Sequence, residues 1–403
     1  MNDEQRSATD PTGLRQNLRD WFLRPPRPHG QVIAHRTVSF LELFYDLVYV
    51  VLIARTAHHL AEHVSWAGIT EFAIVFALIW VVWFNGTLYQ ELHGREDGRS
   101  RTFIFVQVLL LAILAVYAAD AFGDGGRPFA LTYVVLLAVL SWQWYAVRRA
   151  DEPRYRRLTG FYLAGMLVGT AVVAASVPLP AHLRPYVWAA FVIGSVAGGT
   201  ALLVGQEAGA LGVTVTDSLV ERFGLFTIIV LGEVVVGVVD GLSESDRTGV
   251  TVATGLIALG IGFGVWWTYF DLVGRRLPQN RPRSLAQWAY SHLPLTLAVA
   301  AGGAAMVSLV EHADDQRAPA ATAWLLSGAT ATVLVTLIAV VLSLEAYRAA
   351  PRRYRPVLVV LAVGAAATVA IGWARPSSWI LVLAVALVLV ATWLYLFARR
   401  LLP

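Results

Sequence analysis

Residues 378–398 read SWILVLAVALVLVATWLYLFA, a run without one charged side chain. A helix rises about 1.5 Å per residue, so this run is long enough to cross the roughly 30 Å hydrocarbon core of a bilayer. Working outward, stretches of the same character recur along the chain. They fall at about 42–64, 69–90, 102–122, 129–147, 158–177, 186–204, 222–240, 249–273, 288–310, 319–343, 357–373 and 378–398. The composition agrees: 57% of the 403 residues are hydrophobic and 14% charged, where a soluble domain carries about 25% charged residues. Mean hydropathy is +0.61. The chain reads as an all-α polytopic membrane protein of about twelve transmembrane helices.

Charge placement orients the spans. All 31 basic residues are arginine. With the N-terminus in the cytoplasm, 25 of them fall in cytoplasmic segments, and Arg127, Arg184, Arg247, Arg317 and Arg375 stand singly in five outer loops. This is the asymmetry of the positive-inside rule, and it predicts both termini in the cytoplasm of a bacterial inner-membrane protein. The net charge of +4 is then a property of cytoplasmic loops, and no nucleic-acid partner is expected. Residues 1–41 form a polar tail without the apolar core of a cleavable signal, so the first span is expected to act as an uncleaved anchor. The absence of cysteine excludes disulfides, thiol catalysis and cysteine-ligated metal.

Two six-helix units are expected, over 42–204 and 205–403. The loop Tyr145–Arg156 and the loop Tyr347–Arg355 share an order of Tyr, Arg, Pro, Arg and Tyr-Arg. The first span opens on Glu42-Leu43-Phe44 and the seventh on Glu221-Arg222-Phe223. Trp80 and Trp83 in the second span correspond to Trp266 and Trp267 in the eighth. Parallel repeats place transporter sites at the repeat interface. The connection 205–221, with Gly205, Gly209 and Gly212, is expected to be interfacial or re-entrant.

Ionisable residues inside spans are costly and mark functional sites by default. Glu42, Asp46 and Tyr49 recur at i, i+4, i+7 and share one face of the first span. Arg55, His58 or His59, and Glu62 follow the same spacing toward its other end. Asp46 and Arg55 are nine residues apart, half a turn out of phase, so each needs a partner elsewhere in the bundle. Glu233 lies near the middle of the seventh span, and Arg55–Glu233 is the expected buried pair, with Gly232 letting another helix approach. Glu221, Trp83, Trp267, Asp271 and His292, just before Pro294, are candidates to line a pathway. The string His59-Leu60-Ala61-Glu62-His63 fits H-x-x-E-H, a metallohydrolase signature, but lacks an evident third ligand, and no metal is assigned. No P-loop, GxSxG or dinucleotide fingerprint is present.

The stretch Glu42-Leu43-Phe44-Tyr45-Asp46-Leu47-Val48-Tyr49-Val50 resembles the signature that opens the first membrane helix of the bacterial low temperature requirement protein A family. The stretch Glu221-Arg222-Phe223-Gly224-Leu225-Phe226-Thr227-Ile228-Ile229-Val230-Leu231-Gly232-Glu233 is similar to its second hallmark, and Tyr290–Leu295 to a third. Val234 stands where family members often carry a small polar residue. The resemblance implies an integral membrane protein and names no reaction.

The expected function is a transporter or channel for a small solute or ion, proton-linked through Glu233. Arg55 is then its counter-charge, Asp46 and Glu42 line the cytoplasmic access, and Trp83 and Trp267 gate or stack. Competing expectations are a non-transport membrane factor supporting envelope function in the cold, and an intramembrane enzyme. No cofactor is expected; the partners are the bilayer, the unidentified solute or ion and, in a homo-oligomer, a second copy of the chain.

Overall fold

The computed structural model describes residues 11–31, 36, 38–205 and 215–401. Among these described residues fourteen α-helices follow one another: α1 (Pro11–Leu23), α2 (Phe40–Glu62), α3 (Trp66–His93), α4 (Gly98–Ala118), α5 (Gly126–Ala150), α6 (Pro153–Ser176), α7 (Arg184–Val204), α8 (Asp217–Glu244), α9 (Gly249–Leu272), α10 (Pro282–Glu311), α11 (Ala320–Ser343), α12 (Glu345–Ala349), α13 (Pro351–Ala374) and α14 (Ser378–Leu401). Eleven of them are long and apolar enough to cross a membrane. The helix α2, expected as the first span, is long enough at 23 residues but carries Glu42, Asp46, Arg55 and Glu62 and is not among the eleven. It nonetheless runs within the bundle, against α3, α4, α8 and α10. Most of the expected segment 205–221 lies outside the described residues.

Local chemistry sets the helix starts. Ser39 caps α2 in a full capping box, its hydroxyl taking the Glu42 amide while the Glu42 carboxylate returns to the Ser39 amide. Thr216 caps α8, its hydroxyl accepting from the Leu219 amide at 3.2 Å. That cap starts α8 at Asp217, earlier than the apolar run suggests, and places Arg222 well inside the helix.

The helix α10 sits at the centre, packed against α2, α3, α7, α8, α9 and α11. Its small residues allow backbone contact with α8. A methyl group added at Gly237 would stand 2.2 Å from the Gly303 carbonyl oxygen, and one added at Gly303 would stand 2.7 Å from the Glu233 carbonyl carbon. The close approach expected at Gly232 is not there: nothing lies within 4 Å of a methyl group built on it. Gly237, five residues and about 140° further round the helix, faces α10 instead.

The neighbours in the two halves of the chain follow one order. In the first, α2 packs on α3 and α4, α4 on α5, α5 on α6, α6 on α7, and α7 returns to α3. In the second, α8 packs on α9 and α10, α10 on α11, α11 on α13, α13 on α14, and α14 returns to α9.

Candidate functional site

The capping box fixes Glu42 at the first turn of α2, with Oε2 held by the Ser39 amide at 3.0 Å. Its other oxygen accepts from two arginines, Arg36 and Arg222 Nη1, the latter at 3.2 Å. One turn further, Asp46 Oδ1 accepts from Arg222 Nη2 at 3.3 Å and from the Trp83 indole N–H at 3.0 Å. Arg36 also reaches Glu91 at the end of α3. Glu91 in turn accepts from Thr216 Oγ1 at 2.6 Å and Ser218 Oγ at 2.8 Å, at the start of α8. Three carboxylates and two guanidiniums thus tie together the N-terminal ends of α2 and α8 and the C-terminal end of α3.

The inner members of this cluster are fully enclosed: relative exposure is 0% for Asp46, 1% for Arg222 and 3% for Glu42. Ions moved out of water incur a desolvation cost of several kcal/mol each, which only close pairing offsets. The pairing is incomplete. Asp46 Oδ2 and Arg222 Nε have no hydrogen-bond partner among the described residues. Aromatic packing closes the cluster: Trp83 stacks on Phe226 with ring centroids 4.0 Å apart. Below it, Tyr49 shares a 2.8 Å hydrogen bond with Tyr45, which donates to Gln107 on α4 at 2.9 Å, and Gln107 reaches Gln143 on α5 at 3.3 Å.

The preceding chain is clamped to the same end of the bundle. The Arg27 guanidinium donates to the carbonyls of Gly94 at 2.7 Å and Glu91 at 2.8 Å. The His29 amide and ring Nδ1 both meet the Asp151 carboxylate at 2.9 Å. Burial alone would raise the Asp151 carboxyl, but hydrogen bonds from the His29 ring, the Thr159 hydroxyl and the His29 amide outweigh it and hold it below its ordinary range.

Along α8, Arg222, Glu233 and Asp240 are spaced by eleven and seven residues. At 100° per residue they lie within roughly 20° of one line on the helix. Glu233 is 4% exposed and makes no hydrogen bond or ion pair among the described residues. At the far end, His58 of α2 stands 4.0 Å from Asp240 and 3.3 Å from Glu62. One seam between α2 and α8 therefore carries a charged cluster at each end and an unpaired carboxylate between them.

Arg55 is not the partner of Glu233. It lies exposed on α2, in no ion pair among the described residues. The reason is helical phase: Asp46 points into the bundle, and nine residues on, Arg55 points the opposite way. The buried cation is Arg222, with the partly exposed Arg36 beside it; the sequence reading assigns a site role to neither of them, nor to Glu91. The Thr216 cap is the sequence signal from which Arg222 can be placed inside a helix. Glu221, its neighbour, is exposed. His292 is satisfied on both ring nitrogens, Nδ1 donating to the Trp288 carbonyl at 2.7 Å and Nε2 meeting Tyr269 Oη at 3.1 Å. Trp267 packs on Trp393 of α14 at 4.4 Å, and Asp271 borders a separate cavity with Arg276 and Arg353, so the structure does not bring these two to the α2–α8 seam. His59 lies beside Glu62 and His63 at the far end of α2. Away from the seam, a cavity of about 540 Å³ is bordered by α6 and α7, with Trp80, Asn85, Tyr162, Ser195 and Tyr290 among its lining and no carboxylate or imidazole.

An all-helical bundle with eleven candidate spans and ionisable groups buried between its helices is a multi-pass membrane protein. The profile of the family described as bacterial low temperature requirement A protein (LtrA) matches residues 37–393, and the chain belongs to that family. An uncharacterized protein of Rhizobium meliloti (strain 1021) is 27% identical over 272 residues, a match that covers 64% of this chain and 66% of that protein. The match thus falls just short of two thirds of that relative's length. No solved structure matches the chain.

Proposed function

We propose that the chain is a transporter or channel for a small ion or solute, proton-linked, with its path along the α2–α8 seam. The observation that carries this reading is Glu233: a buried carboxylate with neither ion pair nor hydrogen bond among the described residues, in the middle of a 28-residue span. Such a group is costly in a membrane bundle, and taking up and releasing a proton or cation is the function that repays the cost. Glu233 is the titrating or cation-binding group. Asp46, Glu42 and Arg222 line one access, and Asp240, His58 and Glu62 the other. On this reading the Arg-rich end that holds Arg222 faces the cytoplasm, with the protein in the bacterial inner membrane. The shared order of neighbours in the two halves supports a duplication of one six-helix unit, 42–204 and 205–403, with the seam between the first helices of the two units. The lateral cavity beside α6 and α7 carries no acid, base or nucleophile pair among its lining residues, so it lends no support to intramembrane catalysis.

The path is tested by thiol accessibility. The chain has no cysteine, so single substitutions need no altered background. Ile229→Cys and Val230→Cys, on the Glu233 side of α8, are compared with Val235→Cys and Val239→Cys on its exposed face. In proteoliposomes a charged, water-borne thiol reagent is expected to modify the first pair and spare the second. Equal protection of all four removes the seam as a path.

A further inference from the structure

We propose that His59, Glu62 and His63, at the C-terminal end of α2, form a binding site for a divalent transition-metal ion of the zinc type. The three residues stand at i, i+3 and i+4, which sets them on one side of the helix end. One ligand atom from each lies within 4.8 Å of the other two. Ligands of a tetrahedral zinc at about 2.0–2.1 Å lie roughly 3.4 Å apart. Closing that gap takes rotamer changes at the exposed Glu62 and His63, with Glu62 giving up its 3.3 Å contact with His58.

The geometry prepares the site in two further ways. His63 Nδ1 meets the His59 carbonyl at 3.3 Å. A carbonyl only accepts, so Nδ1 carries the proton and Nε2 keeps its lone pair, the arrangement that second-shell contacts give to metal-bound imidazoles. His63 is also the C-cap of α2, and the free carbonyls of a helix C-terminus favour a cation. Two imidazoles and one carboxylate suit zinc, cobalt or nickel over magnesium or calcium, which take all-oxygen sets. In the H-x-x-E-H string of a hydrolase the Glu is a general base; here its carboxylate lies within 4.8 Å of a ring nitrogen of each histidine, and it is assigned as a third ligand. The site shares Glu62 with one access of the proposed path, but metal binding is read directly and does not depend on flux through Glu233.

The experiment uses the full chain in detergent, purified without a histidine tag and titrated with Zn²⁺ alone by calorimetry, with the visible spectrum of added Co²⁺ reporting coordination. The expected result is one equivalent bound, with His59→Gln and His63→Gln each weakening affinity by at least about tenfold. His182→Gln, in another loop, and Glu233→Gln leave it unchanged. No binding to the wild-type chain, or binding and a Co²⁺ spectrum that persist in the His59→Gln, His63→Gln double variant, overturns the proposal. Because His63 is exposed and His59 half-buried at the helix end, the variants are expected to elute and unfold as the wild type does, so loss of binding reads ligation.

Discussion

Arg222 donates to Glu42 at 3.2 Å across 180 positions of sequence, and so joins α8 to the first turn of α2. The same guanidinium reaches Asp46 at 3.3 Å with its other terminal nitrogen. One side chain thus bridges two buried carboxylates at the meeting point of the two halves of the chain.

Removing it leaves both carboxylates enclosed without their shared cation. Arg222→Met is expected to destabilise the protein by about 3–5 kcal/mol, read as a fall in the midpoint of thermal unfolding in detergent. Arg222→Lys recovers only part of the loss, because one ammonium cannot reproduce two separate guanidinium contacts. Adding Glu42→Gln and Asp46→Asn to Arg222→Met is expected to recover stability, since the uncompensated charges go with it.

Trp83 supplies the other donor to Asp46 Oδ1, at 3.0 Å. Trp83→Phe keeps a ring against Phe226 and removes the N–H. A cost of about 1–3 kcal/mol is expected, the penalty for leaving a buried acceptor short of a donor. In the Asp46→Asn background the same substitution costs measurably less, and a double-mutant cycle reads the difference.

The contact between α8 and α10 predicts a contrast among glycines. Gly237→Ala and Gly303→Ala each place a methyl group against backbone of the facing helix, 2.2 Å and 2.7 Å from its nearest atom. Backbone cannot yield as a flexible side chain would, and a loss of about 1–3 kcal/mol or more is expected. Gly232→Ala meets open space and is expected to be neutral or slightly stabilising, because alanine is the better helix former. Thermal unfolding of the three variants side by side measures this.

The Asp151 contact sets the acid behaviour of the N-terminal clamp. Its carboxyl is held below the ordinary range once burial is outweighed by the His29 and Thr159 hydrogen bonds. A group depressed in the folded state stabilises it above the unfolded pKa of about 3.9, and that contribution is lost as pH falls through the lower folded value. The Asp151 contribution is therefore constant from neutrality down to about pH 5 and disappears only in stronger acid. Asp151→Asn removes the ion and is expected to speed hydrogen exchange at the His29 amide, which donates to it at 2.9 Å.

The apolar runs made the helices legible, because a membrane span is defined by length and lack of charge and needs no knowledge of its neighbours. The seam was half legible. Helical phase put Glu42, Asp46 and Tyr49 on one face, and all three are buried. The same phase argument turns Arg55 outward, although its place as the one arginine inside an apolar run suggests a buried partner. Arg222 reads as a flanking charge because the apolar run begins at it, while the Thr216 cap begins the helix earlier. Arg36 and Glu91 lie beyond the ends of the apolar runs, where only the tertiary fold brings them together.

The central claim is that Glu233 carries ions or protons through the bundle. The direct measurement is the internal pH of proteoliposomes under imposed proton and potassium gradients, comparing the wild-type chain with Glu233→Gln. Proton or cation flux in the wild type that Glu233→Gln abolishes is the expected result. Flux that Glu233→Gln leaves intact, or a wild-type chain no more permeable than empty liposomes, contradicts it.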